Sequence, residues 1–146
     1  MDPRPARTAD QPTGESGEKL FTVAEANSAL VLVRKITAEL VSKYKHLLAL
    51  RDERHELAMS AGTAGQLEAL NTRIEQITEA LNRLHAELNE IGCVLKDWSD
   101  GLADFPALHR GRKVWLCWRL GEPAVAHWHD LHSGYASRQP IGTDFE

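Results

Sequence analysis

The chain has 146 residues, 42% of them hydrophobic and 26% charged, and a formal net charge of −4 at pH 7. This length suits one domain with a tail, and the acidic balance argues against a nucleic-acid binder, which carries a basic stripe. No apolar run reaches the length of about 18 residues that a transmembrane helix needs, so neither nucleic acid nor membrane is an expected partner.

Residues 1–19 contain three prolines and two glycines but no Leu, Ile, Val or aromatic side chain. Such a segment cannot bury enough apolar area to offset its ordering entropy, so a disordered tail is expected there. It also lacks the apolar core of a secretory signal. Cys93 and Cys117 form no CxxC pair. Both are expected as free thiols in a reducing cytoplasm, and the protein is expected to be cytoplasmic.

The single domain is expected over residues 20–146. It opens at Phe21-Thr22-Val23-Ala24-Glu25. Thr22 as N-cap with Glu25 three residues later forms a capping box, which predicts a helix over 22–60. Its apolar positions include Ala26, Leu30, Val33, Ile36, Leu40, Tyr44 and Leu47, with a period near 3.6. Leu32, Val41, Leu48 and Leu57 widen that face, so the helix is expected to meet more than one neighbour.

Ser60-Ala61-Gly62-Thr63-Ala64-Gly65 is a small-residue loop. A second helix is predicted over 64–91, ended by Gly92 in the left-handed conformation. Leu67, Leu70, Ile74, Ile77, Leu81, Leu84, Leu88 and Ile91 follow at alternating steps of 3 and 4. That is an a/d heptad seam and requires a partner. The short loop makes the two helices antiparallel neighbours in a coiled-coil-like hairpin. Two ways of covering the remaining apolar face stay open: a homodimer through the hairpins, or the C-terminal segment folding back. The homodimer is the expected partner.

Beyond Gly92 the residue types change. All four tryptophans, both cysteines and four of the seven histidines lie there. Short β runs are read at 93–96, at 102–105 (stopped by Pro106), at 113–120 and at 125–129. They form a small antiparallel β-meander over 93–141, and the fold class is α+β.

In this region stand Leu95-Lys96-Asp97, Gly101-Leu102-Ala103-Asp104-Phe105-Pro106, Leu116-Cys117-Trp118-Arg119-Leu120-Gly121-Glu122, Trp128-His129 and Arg138-Gln139-Pro140-Ile141. With Phe21–Asn27 at the front, the chain from Leu20 to Ile141 resembles the prokaryotic family catalogued as domain of unknown function 2203. The resemblance implies a helical hairpin and a small β module in a bacterial cytoplasmic protein, and carries no established activity. The family pattern is similar to this chain at Asp97, Asp104, Glu122 and His129, but often has an aromatic residue where His127 stands.

The chemistry of the module divides into alternatives. His127 and His129 alternate on one strand face, and with Asp97, Asp104, Glu122 and Cys117 they supply the donors preferred by Zn or Fe. The candidate metal ligands are His129, Glu122, Asp97, Asp104 and His127; the alternative is surface histidines beside an apolar core. Trp118 and Trp128 line a ligand pocket or fill the core. Arg138 binds an anion or pairs with Asp97 or Asp104. Cys117 is a nucleophile with His129 as base, or a buried inert thiol. Lys96 and Asp97 with Asp104 are a weaker acid–base pair. No Gly-rich phosphate loop, GxSxG or HExxH motif is present. The leading expectation is a non-enzymatic oligomerising or interaction protein with the β module as its binding end. The second is a metal-binding protein or metalloenzyme using His129.

Overall fold

The computed structural model describes residues 18–145. The expected disordered tail lies almost wholly outside these residues. Two long helices, α1 (Val23–Met59) and α2 (Ala64–Ile91), are followed by five strands. These are β1 (Val94–Asp97), β2 (Leu102–His109), β3 (Arg112–Arg119), β4 (His127–Asp130) and β5 (Gln139–Pro140), with one 3-10 turn at Tyr135–Ser137. The strands pair antiparallel in sequence order. The fold is α+β, a helical hairpin with a β-meander.

The helix ends follow from local chemistry. Thr22 accepts from the Glu25 amide while the Glu25 carboxylate accepts from the Thr22 amide, both at 3.0 Å. Thr63 and Gln66 repeat the device on α2 at 3.1 and 2.9 Å. Each box satisfies N–H groups that the first helical turn leaves without partners. Gly92 ends α2 at φ 106°, a conformation that side chains rarely adopt.

The hairpin buries its seam within one chain. Leu70, Ile74, Leu81, Leu84 and Leu88 are buried, and Leu67, Ile77 and Ile91 are half-buried. They share one core with Leu30, Val33, Leu40, Leu47 and Leu50 of α1. The seam thus has its partner in α1. The C-terminal segment packs against another side of α1, while Leu32 and Leu48 of its wider apolar face stay exposed. Asn27 exchanges two hydrogen bonds with the Val125 backbone, at 2.8 and 3.2 Å. Arg34 donates to the Pro123 carbonyl at 3.1 Å. Gly101 (φ 76°) lies so close that a Cβ would sit 2.8 Å from the Leu120 Cβ and 3.3 Å from a Val41 methyl carbon. Farther along, Tyr44 meets Trp98 edge-on at 5.7 Å.

Pro106 does not stop the strand: β2 continues to His109. β1 pairs with β2 only as far as Val94↔Asp104. Beyond that rung the edge of β2 is open, and the amide of Phe21 fills it by donating to the Pro106 carbonyl at 2.7 Å. A residue's N–H and C=O point to the same side of a strand, so the donor that proline lacks falls on this open edge, where no ladder bond is lost. The segment after Gly134 is also less irregular than expected. β5 adds a fifth strand because Gln139 and Pro140 pair with Trp128 and His127.

Two predictions follow from this packing. Leu81, 3% exposed in the hairpin core, changed to Ala should cost about 2–5 kcal/mol in urea unfolding; a loss under about 0.5 kcal/mol contradicts the seam. His85 packs on Trp98 at 5.1 Å, and burial lowers its pKa below the ordinary 6.5. The unfolded chain therefore binds this proton more readily. The contribution to stability is complete above pH 6.5 and is lost as pH falls through the lower folded pKa. His85→Gln should flatten the part of the stability profile below that pH, measured by urea unfolding across the acid range.

Candidate functional site

Strand alternation divides the sheet into two chemistries. Ala103, Phe105, Ala107, Val114, Leu116 and Trp118 point inward and are almost fully buried. The intervening residues, Asp104, Trp115, Cys117, His127 and His129, lie on the outer face. The register sets Asp104 opposite Cys117, Trp115 opposite His129 and Cys117 opposite His127. Asp104 and His129 therefore flank the central strand, separated by two strand spacings, roughly 10 Å, across the sheet and by one two-residue step along it. Their side chains lean across it and meet.

The contact is close and dry. His129 Nε2 lies 2.9 Å from Asp104 Oδ2, with both side chains 2% exposed. Its Nδ1 lies 2.8 Å from the Asp130 carbonyl. A carbonyl only accepts, so Nδ1 carries hydrogen. Nε2 is then turned toward the Asp104 carboxylate oxygen, the second contact of the ring. Lys96 Nζ reaches the same Oδ2 at 3.3 Å while lying 4.1 Å from the Trp115 ring centre. Asp104 Oδ1 is buried without a hydrogen-bond partner among the described residues. Cys117 completes the group: its sulfur, a His129 nitrogen and an Asp104 oxygen all lie within 4.8 Å of one another.

Burial first, then the Asp104 charge, push the Cys117 thiol up to about 12, against the opposing effect of Arg138. Burial and Asp104 also raise the Cys93 thiol. At neutral pH both are therefore protonated, which argues against Cys117 as a free nucleophile.

The other expected ligands are engaged elsewhere. Asp97 Oδ1 accepts from the amides of Ser99 and Asp100 at 2.8 and 2.9 Å, building the turn between β1 and β2. Glu122 takes both guanidinium nitrogens of Arg138 and the Arg119 amide. Burial raises the Glu122 carboxyl, but these hydrogen bonds outweigh it and hold it below the ordinary range. Arg138 has a carboxylate partner, as one reading allowed, but that partner is Glu122 rather than Asp97 or Asp104. His127 lies outside the group of three, with its Nδ1 buried and unpartnered among the described residues.

Trp118 is core, and its indole N–H donates to the Glu122 carbonyl at 2.9 Å. Trp128 is half-buried against His109, at 4.9 Å, and Phe145, at 5.9 Å. Trp115 stacks beneath the ammonium groups of Lys96 and Lys113.

A cavity of about 130 Å³ opens above the group, lined by Lys96, Leu102, Asp104, Cys117, His129, Ser133, Gly134 and Tyr135. Tyr135 and the Asp130 carbonyl carried no signal in the sequence. Tyr135 lies in an irregular stretch, and a carbonyl's role depends only on backbone geometry. Tyr135 lies beneath the guanidinium of Arg138 at 4.2 Å.

No helix among the described residues is long and apolar enough to cross a membrane. No curated protein and no solved structure matches the chain. A family model described as "Uncharacterized conserved protein (DUF2203)" matches residues 19–141. That span contains α1, α2, the five strands and every residue of the outer-face cluster, and the chain belongs to this family.

Proposed function

We propose that the protein binds a divalent transition metal, zinc or ferrous iron, through Asp104, Cys117 and His129. The observation carrying this reading is the meeting of three different donor types from three adjacent strands, on a carboxylate whose other oxygen is buried with no hydrogen-bond partner among the described residues. Imidazole, thiolate and carboxylate together suit Zn²⁺ or Fe²⁺. The His129 tautomer also fits. Its Nδ1–H is held by the Asp130 carbonyl, the arrangement by which protein carbonyls orient metal-binding imidazoles.

Ligand atoms on one tetrahedral zinc lie roughly 3.3–3.8 Å apart, given bonds of about 2.0–2.3 Å. Side-chain movements of about 1 Å would close the present group to that size. Lys96 has 38% of its side chain exposed, so it can withdraw from the Asp104 oxygen. The Arg138 guanidinium stands beside Cys117 and favours its thiolate. Three protein ligands leave one position open to the cavity, the pattern of a site with an exchangeable ligand rather than a closed structural site.

Metal analysis of full-length protein purified without an affinity tag should find about one zinc or iron per chain, lost in His129→Ala and Cys117→Ser. Less than about 0.1 metal per chain after incubation with either ion, followed by desalting, overturns the reading. Binding must expel the Cys117 proton, held to about 12. Below that pH the proton competes, so affinity should rise about tenfold per pH unit across the neutral range, measured by competition with a chromogenic chelator.

A second reading, self-association of an interaction protein, rests on a different observation. Val31 and Leu32 of α1 remain 65% and 52% exposed. A second copy would meet the chain there, since the heptad seam is already filled by α1. Light scattering at micromolar concentration should give twice the chain mass, and Val31→Glu with Leu32→Glu should halve it. A monomer mass for the parent protein overturns this reading.

A further inference from the structure

We propose that Lys96 is a built-in competitor of the metal: its ammonium group holds Asp104 in the metal-free protein and has to leave that carboxylate when the ion binds. This rests on the metal reading above and adds what sets the affinity of the site. Three observations lead to it.

The first is what Lys96 holds. Its Nζ lies 3.3 Å from Asp104 Oδ2, the same oxygen that His129 Nε2 approaches at 2.9 Å. An ammonium group carries only donors, so it cannot itself ligate an ion. A dication bound to either oxygen of this carboxylate therefore meets a like charge close by, in a site shielded from water.

The second is charge balance. In the metal-free group the Lys96 ammonium and the Asp104 carboxylate cancel. A dication with one thiolate and one carboxylate also sums to zero, and Lys96 is then a surplus positive charge. It has somewhere to go. Its side chain is 38% exposed, and the Trp115 ring, 4.1 Å from Nζ, offers a cation a seat off the carboxylate. Lys113, the other ammonium group over that ring, is paired with Glu18 at 2.6 Å and makes no claim on Asp104.

The third is the backbone that delivers Lys96. β1 and β2 pair at Leu95↔Ala103 and next at Asp97↔Leu102, so Lys96 is the extra residue of a bulge. An extra residue of this kind bends its strand and re-aims a side chain, and bulges are common beside functional sites. Three strands bring ligand atoms to the group, and a fourth brings the cation that opposes the metal.

Removing this charge should therefore act in opposite directions on the two states. The metal-free protein loses a partner of a buried carboxylate and becomes less stable. The metal loses its competitor and binds more tightly. A lysine that merely supported the fold would weaken both when removed.

The test uses full-length protein stripped of metal and titrated with zinc against a chromogenic chelator, at fixed pH and ionic strength. Lys96→Met should bind zinc about tenfold more tightly than the parent, the lower end for a charge-assisted bond because the lysine is over a third exposed. Its metal-free urea midpoint should fall. Lys96→Arg keeps the charge and should stay close to the parent in zinc affinity. Lys96→Gln provides the same comparison if the Met variant fails to fold by circular dichroism. Unchanged or weaker zinc binding in the neutral variant, or an equal gain in Lys96→Arg, overturns this inference alone. Failure of the parent and the neutral variants alike to bind zinc overturns the metal reading and this inference together.

Discussion

The register of β2 on β3 governs the outer face of the sheet. The two strands pair without a break from Leu102↔Arg119 to His109↔Arg112. The turn between them has two residues, Arg110 at φ 53° and Gly111 at φ 79°. Two positive φ values in succession belong to the tight turn whose twist matches a hairpin, and that turn leaves the strands no freedom to slide. A slip of one residue would reverse every side chain. Asp104 would then enter the apolar layer, and Phe105 would point to the cavity. With the register held, alternation places Trp118, Leu116 and Phe105 in the core and Asp104 and Cys117 on the other side.

The outer face is an unusual place for a buried carboxylate. Asp104 is only 2% exposed, and an ionised carboxylate removed from water is costly unless paired. Lys96 and His129 supply the pairing on Oδ2, yet Oδ1 has no partner among the described residues. Apolar residues of similar volume often stabilise a fold as well as a buried ionic pair does, or better. Stability alone therefore does not account for an Asp, a Cys and a His at these positions. What the three share is an electron pair each, directed at the same small volume, and the proposed metal site rests on that.

The helical hairpin serves this arrangement as a frame. One line of α1 is filled by the α2 seam, while Asn27, Arg34, Val41 and Tyr44 form a second line toward the module. The bonds from Asn27 hold the backbone just before β4, and β4 carries His129. Phe21, ahead of α1, closes the edge of β2 beside Pro106. Both strands that flank the central one are therefore tied to the start of α1. This supports their outer-face side chains in a fixed relation, as a binding constellation requires.

Much of the architecture was legible in the sequence because its causes are local. Thr22 with Glu25, the leucine and isoleucine spacing from Leu67 to Ile91, and Gly92 specify two helices and their ends through short-range geometry. The alternation from Val114 to Leu120 likewise marks a strand and its two faces. Pro106 misled because its effect depends on whether a neighbouring strand needs its missing N–H, and that depends on where β1 ends. The cluster was legible only in part for the same reason. Asp97, Asp104, Glu122, His127 and His129 are equally plausible ligands as residue types. Register and turn geometry separate them, giving Asp97 to a turn and Glu122 to Arg138 while bringing Asp104, Cys117 and His129 together. The sequence by itself determined the helices, the strand alternation and the set of candidate donors, because these depend on neighbours a few residues apart. Only the tertiary structure decided which donors meet, because Asp104 and His129 are 25 residues apart and approach each other solely through the pairing of three strands.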